Sequence, residues 1–204
     1  MIFRGIYAIV DQAFADRPLA LLECILAGGV RLVQYRAKLG IERELVRAMH
    51  ARTRAYGALL IVNDDPEVAL EADGLHVGQE DLAGCDGAGL RERLGSRLLG
   101  ISCAVPAQAA VAESLGADYV GVGPFASTAT KGDAGAPIGA PGVRNVVLQT
   151  ALPVVAIGGI GAGNLAEVAG TGAAMAAVVS AIALARDPRV ATSALVARWN
   201  ELIG

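Results

Sequence analysis

Eight short runs rich in β-branched residues recur along this chain, and their even spacing limits its fold more than any other feature. They are Ile6–Val10, Arg31–Tyr35, Leu59–Val62, Gly74–Val77, Leu98–Ile101, Tyr119–Val122, Val154–Ile157 and Ala177–Val179. Short apolar runs of this kind read as strands buried on both faces, as in a parallel sheet. The seven intervals between them can each hold a crossover helix. The segment from Ile41 to Tyr56 shows the helical period best: Leu45, Ala48, Met49 and Tyr56 share one face, and Arg43, Arg47, His50 and Arg54 the other, which makes His50 a solvated histidine. The expected fold is α/β, a single-domain (β/α)8 TIM barrel over residues 1–204. A barrel commonly takes about 250 residues and can be built with about 200, so the loops must be short. An open doubly wound sheet is the competing architecture, because a local pattern does not prove closure. Eight units in so short a chain favour the barrel.

Hydrophobic residues make up 54% of the chain and charged residues 18%, enough apolar material for a large core. The net charge of −3 provides no footprint for nucleic acid or an anionic membrane. Residues Met1 to Val10 carry one arginine and a short apolar run ended by Asp11, which reads as a first strand and not as a signal peptide. The longest apolar stretch, Gly172 to Ala185, falls short of the roughly 20 residues a membrane helix needs. Cys24, Cys85 and Cys103 are odd in number and lack CxxC spacing, which indicates free thiols in a reducing cytoplasm and no zinc site.

In a parallel barrel the loops that follow the strands build the site. Here these positions are polar in phase. Gln34, Arg36 and Lys38 follow the second run; Asn63, Asp64 and Asp65 the third; Gln79, Glu80 and Asp81 the fourth; Ser102 the fifth. A long loop with Ser127, Thr128, Thr130, Lys131 and Asp133 follows the sixth, Gly158-Gly159 the seventh and Ser180 the eighth.

A period of two turns Gln34, Arg36 and Lys38 to one side, into the barrel mouth. Two cations there call for an anion: a phosphate, or the carboxylates Asp64 and Asp81 in structural salt bridges. Asp64 and Asp81 themselves suit Mg²⁺ held by a few carboxylates, phosphate and water. The other reading is that Asp64 or Asp65 caps the following helix, with Pro66 in its first turn. His76, inside a strand, reads as a packed or networked histidine. Gly158-Gly159 permits close approach of backbone N–H groups to a ligand, and Ser180 opens a helix, so this end suits a phosphate monoester.

Taken together, Val33-Gln34-Tyr35-Arg36-Ala37-Lys38, Val62-Asn63-Asp64, His76-Val77-Gly78-Gln79-Glu80-Asp81, Gly121-Val122-Gly123-Pro124-Phe125, Thr128-Ala129-Thr130-Lys131 and Ala156-Ile157-Gly158-Gly159-Ile160 resemble the thiamine-phosphate synthases over nearly the whole chain. That family joins 4-amino-5-hydroxymethyl-2-methylpyrimidine diphosphate to a thiazole phosphate, releasing pyrophosphate. The resemblance implies that Gln34, Tyr35, Arg36, Ala37, Lys38, Asn63, Ser102 and Lys131 hold the pyrimidine diphosphate, with Arg36, Lys38 and Lys131 as the catalytic cations. It implies Mg²⁺ on Asp64 and Asp81, and the thiazole phosphate on Thr128, Ala129, Thr130, Gly159, Val179 and Ser180. The implied partners are these small molecules, with neither nucleic acid nor membrane; a homo-oligomer is compatible with the sequence. Departures from the family pattern are Asp65, Cys103-Ala104, Lys131-Gly132-Asp133, Ala173-Ala174, and a stretch from Asp64 to Asp81 about two residues short. A thiazole tautomerase, a phosphate-sugar isomerase and a non-catalytic phosphate-ligand-binding relative are the alternatives on the same frame. A tautomerase would not need Gln34, Arg36, Lys38 and Lys131 together.

Overall fold

The computed structural model of the chain describes residues 3–83, 87–128, 130 and 135–204. Eight parallel strands run β1 Gly5–Asp11, β2 Leu32–Arg36, β3 Leu59–Asn63, β4 Gly74–Val77, β5 Leu98–Cys103, β6 Tyr119–Val122, β7 Val154–Ala156 and β8 Met175–Val178. Each pairs with the next in sequence, and β1 pairs with β8 through Gly5 beside Met175 and Ile6 beside Ala176. That last pairing closes the barrel and removes the open-sheet alternative.

The helices among the described residues are α1 Pro18–Ala27, α2 Arg43–Ala55, α3 Gln79–Ala83, α4 Gly87–Leu94, α5 Pro106–Ser114, α6 Gly139–Val147, α7 Leu165–Ala169, α8 Ser180–Ala183 and α9 Pro188–Ile203. Proline at the first helical turn starts α1, α5 and α9, where its fixed φ suits the helix and its missing N–H has no intrahelical partner to lose. At α9 the Asp187 carboxylate also accepts from Val190 N at 3.0 Å. No helix is long and apolar enough to cross a membrane among the described residues.

The alternation of side chains divides the apolar residues into two layers. Tyr7, Ile9, Leu32, Ile61, Tyr119, Val155, Met175 and Ala177 pack inside the barrel. Ala8, Val10, Val33, Tyr35, Val62, Leu75 and Ile101 face outward and meet the helices. Tyr35 is therefore a core residue, and burial ahead of the nearby Glu42 and Asp11 charges raises its phenol pKa.

Four local expectations differ from the structure. The buried stripe of α2 is Val46, Met49 and Thr53, while Tyr56 is exposed just beyond the helix. His50 is no solvated histidine: its Nε2 lies 3.2 Å from the Asp73 carboxylate. The strand expected at Ala177–Val179 begins two residues earlier, because Met175 and Ala176 already pair with β1 and β7. Between β3 and β4 the chain makes only a single 3₁₀ turn, Val68–Glu71, in place of a crossover helix.

Candidate active site

Where β1 to β8 end, a cavity of about 420 Å³ opens. Gln34, Arg36 and Lys38 line it from one side, as their alternation along β2 requires. Asn63, Asp64, Asp81 and Ser102 join them from the next three strand ends, and Thr128, Thr130, Gly159, Val179 and Ser180 complete the far wall. Tyr35 and Ala37 are not among the lining residues, because the period of two that turns the Gln34 side chain inward turns that of Tyr35 out into the core. Ala129 and Lys131 lie outside the described residues, as does Cys85.

The cations already have partners. The Arg36 guanidinium forms an ion pair with Asp11, which lies beside it in the β1–β2 register. Asp11 is 2% exposed, and its other oxygen accepts from Ala13 N at 2.9 Å, so its carboxylate is fixed on two sides. Lys38 Nζ lies 2.9 Å from Asp64 Oδ2. The salt-bridge reading thus holds for Lys38, whereas Arg36 uses Asp11 and not Asp81. Asp64 accordingly has a cation partner in Lys38.

Asp64 has φ 62°, the one non-glycine residue with positive φ among those described. Aspartate is among the few residues that tolerate this left-handed region. Its N–H donates to the His76 carbonyl at 2.9 Å, and Asn63 Nδ2 donates to Asp64 Oδ1 at 2.8 Å and to the same carbonyl at 3.1 Å. Asp65 has the capping role: its Oδ1 accepts from Glu67 N at 3.0 Å and Val68 N at 2.9 Å. The two adjacent acids therefore divide their work, one facing the cavity and one closing the turn.

No group of three or more His, Cys, Asp or Glu with metal-binding spacing occurs among the described residues. Asp64 and Asp81 nevertheless border one cavity, and Mg²⁺ commonly takes one or two carboxylates and completes its shell with water and substrate phosphate. The donor set fits a cation shared with a diphosphate.

On the opposite wall, the N–H groups of Gly159, Ser180 and Ala181 donate to no acceptor among the described residues. Gly159 has φ +63°, and a Cβ there would lie 2.6 Å from the Ser127 carbonyl oxygen. Glycine is thus required at this position by the β6 loop that packs against it.

Comparison with known proteins fits this geometry. The family model for thiamine monophosphate synthase matches residues 6–182. The chain is a member of that family. A thiamine-phosphate synthase of Herpetosiphon aurantiacus is 42% identical over 203 residues, covering 96% of this chain and 97% of the relative. One from Chloroflexus aurantiacus is 44% identical, covering 86% and 82%. The solved thiamine phosphate pyrophosphorylase of Pyrococcus furiosus superposes with a TM-score of 0.90 at 34% identity, covering 100% of this chain and 98% of that one.

Asp11, Tyr7 and Tyr119 line or underlie the site and were not singled out from sequence. Asp11 carried a readable signal, since it ends the first strand as Arg36 ends the second. Tyr7 and Tyr119 read only as apolar strand residues. His76 is the networked histidine expected: Nδ1 is 3.1 Å from Tyr119 Oη and Nε2 3.0 Å from Ser102 Oγ. Cys103, at the cavity margin, is buried, and its thiol pKa is pushed up to about 12 by desolvation. It is a neutral thiol at physiological pH and no nucleophile.

Proposed function

We propose that this chain is a thiamine-phosphate synthase that couples an aminopyrimidine methyl diphosphate to a thiazole phosphate. The observation that carries the reading is the division of one cavity in a chain of this family. Gln34, Arg36, Lys38, Asn63 and Ser102 border one side, and the unengaged amides of Gly159 and Ser180 the other. Two phosphorylated substrates can thus be held facing each other.

The bond between the pyrimidine methylene and the diphosphate oxygen breaks, and its electron pair leaves with pyrophosphate. The aminopyrimidine ring supports the cation left at the methylene, and the thiazole nitrogen lone pair then forms the new C–N bond. Arg36 and Lys38 meet the charge that grows on the leaving oxygens, and Lys131, outside the described residues, belongs to the same set by sequence. Asp11 keeps Arg36 in place for this task. Asp64 and Asp81 are the residues that would hold Mg²⁺, which when bound supplies further neutralisation of the pyrophosphate. Lys38 has a half-exposed side chain and can exchange Asp64 for a phosphate oxygen when the diphosphate arrives, freeing the carboxylate. Thr128, Thr130, Gly159, Val179 and Ser180 hold the thiazole phosphate, so that the reacting nitrogen is oriented rather than activated. Ala129 belongs to that set by sequence alone. The odd number of cysteines without CxxC spacing and the net charge of −3 support a cytoplasmic enzyme acting on small molecules.

Pyrophosphate release with both substrates and Mg²⁺ tests the reading. Release equal to thiamine phosphate formed is expected. A protein that binds both substrates and turns over neither would overturn it in favour of a non-catalytic relative, and proton exchange on a thiazole phosphate alone would favour a tautomerase.

A further inference from the structure

A file of hydrogen bonds crosses the barrel below the cavity, and the reaction as proposed uses only its two ends. Gln34 Nε2 donates to Tyr7 Oη at 3.0 Å, and Tyr7 Oη lies 2.9 Å from Tyr119 Oη. Tyr119 Oη is 3.1 Å from His76 Nδ1, and His76 Nε2 is 3.0 Å from Ser102 Oγ. The file joins β2, β1, β6, β4 and β5 in that order. Space is reserved for it: a Cβ on Gly100 would lie 2.2 Å from Tyr119 Cζ and 2.5 Å from His76 Nδ1. Both phenols are buried, and desolvation raises the pKa of each, so both keep their protons at neutral pH.

A phenol has a single proton to donate, which gives the file a direction. The Gln34 amide donates to the Tyr7 oxygen, and a Tyr7 proton turned to Tyr119 continues that direction along the file. The Tyr119 proton then goes to His76 Nδ1. With Nδ1 accepting, the ring hydrogen on Nε2 is directed at Ser102 Oγ. Ser102 is left with its own proton turned away from the ring, and Gln34 Oε1 has no partner among the described residues. Both residues line the cavity.

We infer that Tyr7, Tyr119 and His76 are positioning residues that fix this polarity, presenting Gln34 as a hydrogen-bond acceptor and Ser102 as a donor. That pair suits an aminopyrimidine, which offers an exocyclic amino donor and ring-nitrogen acceptors. The inference rests on the proposed pyrimidine substrate for its purpose, and on the geometry alone for its direction.

Long-range ¹H–¹⁵N spectra of the free wild-type protein at neutral pH report the tautomer directly. The chain has two histidines, and a His50→Gln variant assigns the His76 signals. The Nε2–H tautomer is expected, and an Nδ1–H tautomer overturns the proposal. Tyr119→Phe keeps the ring and removes the bond to Nδ1, so the tautomers should mix. Its kcat/KM for the pyrimidine diphosphate should fall about tenfold, the value of one hydrogen bond, with the KM for thiazole phosphate within about twofold of wild type. Tyr7→Phe should behave alike, and the double variant should lose no more than the worse single one, because one break already ends the file. Additive losses, or equal changes in both substrates' KM, overturn the proposal. A wild type that turns over no pyrimidine diphosphate sinks the functional reading instead, and the tautomer result then still decides the direction of the file.

Discussion

Replacing Gly159 with alanine places one methyl group against the backbone of the neighbouring loop. The new Cβ would lie 2.6 Å from the Ser127 carbonyl oxygen and 3.0 Å from both the carbonyl carbon and Cβ of Ala126. None of these is the far end of a flexible side chain, so the loop after β6 must move. The residue must also hold φ +63°, which costs an L-residue roughly 1–2 kcal/mol. Overpacking of this kind adds about 1–3 kcal/mol. The two terms together reach about 2–5 kcal/mol, a large part of a typical stability of about 5–15 kcal/mol. For a chain of 204 residues each kcal/mol shifts Tm by roughly 2–4 °C, so the expected fall is about 4–20 °C. Scanning calorimetry measures it, and inorganic phosphate titration of the variant reports the loss of the anion wall. A Tm within about 1 °C of wild type would refute the packing argument.

Other perturbations separate the roles of neighbouring groups. Asp64→Asn, which keeps a residue tolerant of positive φ, should lower turnover and raise the Mg²⁺ concentration needed for half-maximal rate. Asp65→Ala should cost about 1 kcal/mol of stability through its lost cap while leaving that Mg²⁺ dependence unchanged; the reverse order in a Mg²⁺ titration of the two variants would transfer the metal to Asp65. Lys38→Ala should cut turnover and yet tighten Mg²⁺ binding without substrate, because Asp64 loses its competing partner; calorimetric titration with Mg²⁺ alone checks this, and weaker binding would refute it. Cys103 has a folded-state pKa raised from 9.0 to about 12, so its neutral form favours folding fully below about pH 9 and that contribution is lost as pH rises towards 12. Cys103→Ala should therefore flatten the alkaline fall of stability between those limits in chemical denaturation, and an unchanged slope would show that the thiol is not buried.

The amino-acid sequence by itself determined that there are eight strands, their succession along the chain and, through the period of two, the side of the sheet each strand residue faces. Eight apolar runs at crossover spacing leave few folds open, and a period of two turns Gln34, Arg36 and Lys38 together while sending Tyr35 to the core. The same period leaves only the backbone of Tyr35 facing the end of the strand where the family resemblance places substrate. Closure and pairing were decided only by the tertiary structure. Whether Arg36 meets Asp11 or Asp81, and Lys38 meets Asp64, depends on the stagger of neighbouring strands, which no local pattern encodes. Tyr7 and Tyr119 are 112 positions apart and become partners because β1 and β6 face each other across a closed barrel. Local periodicity fixes which way a side chain points, whereas the register of distant strands fixes what it meets.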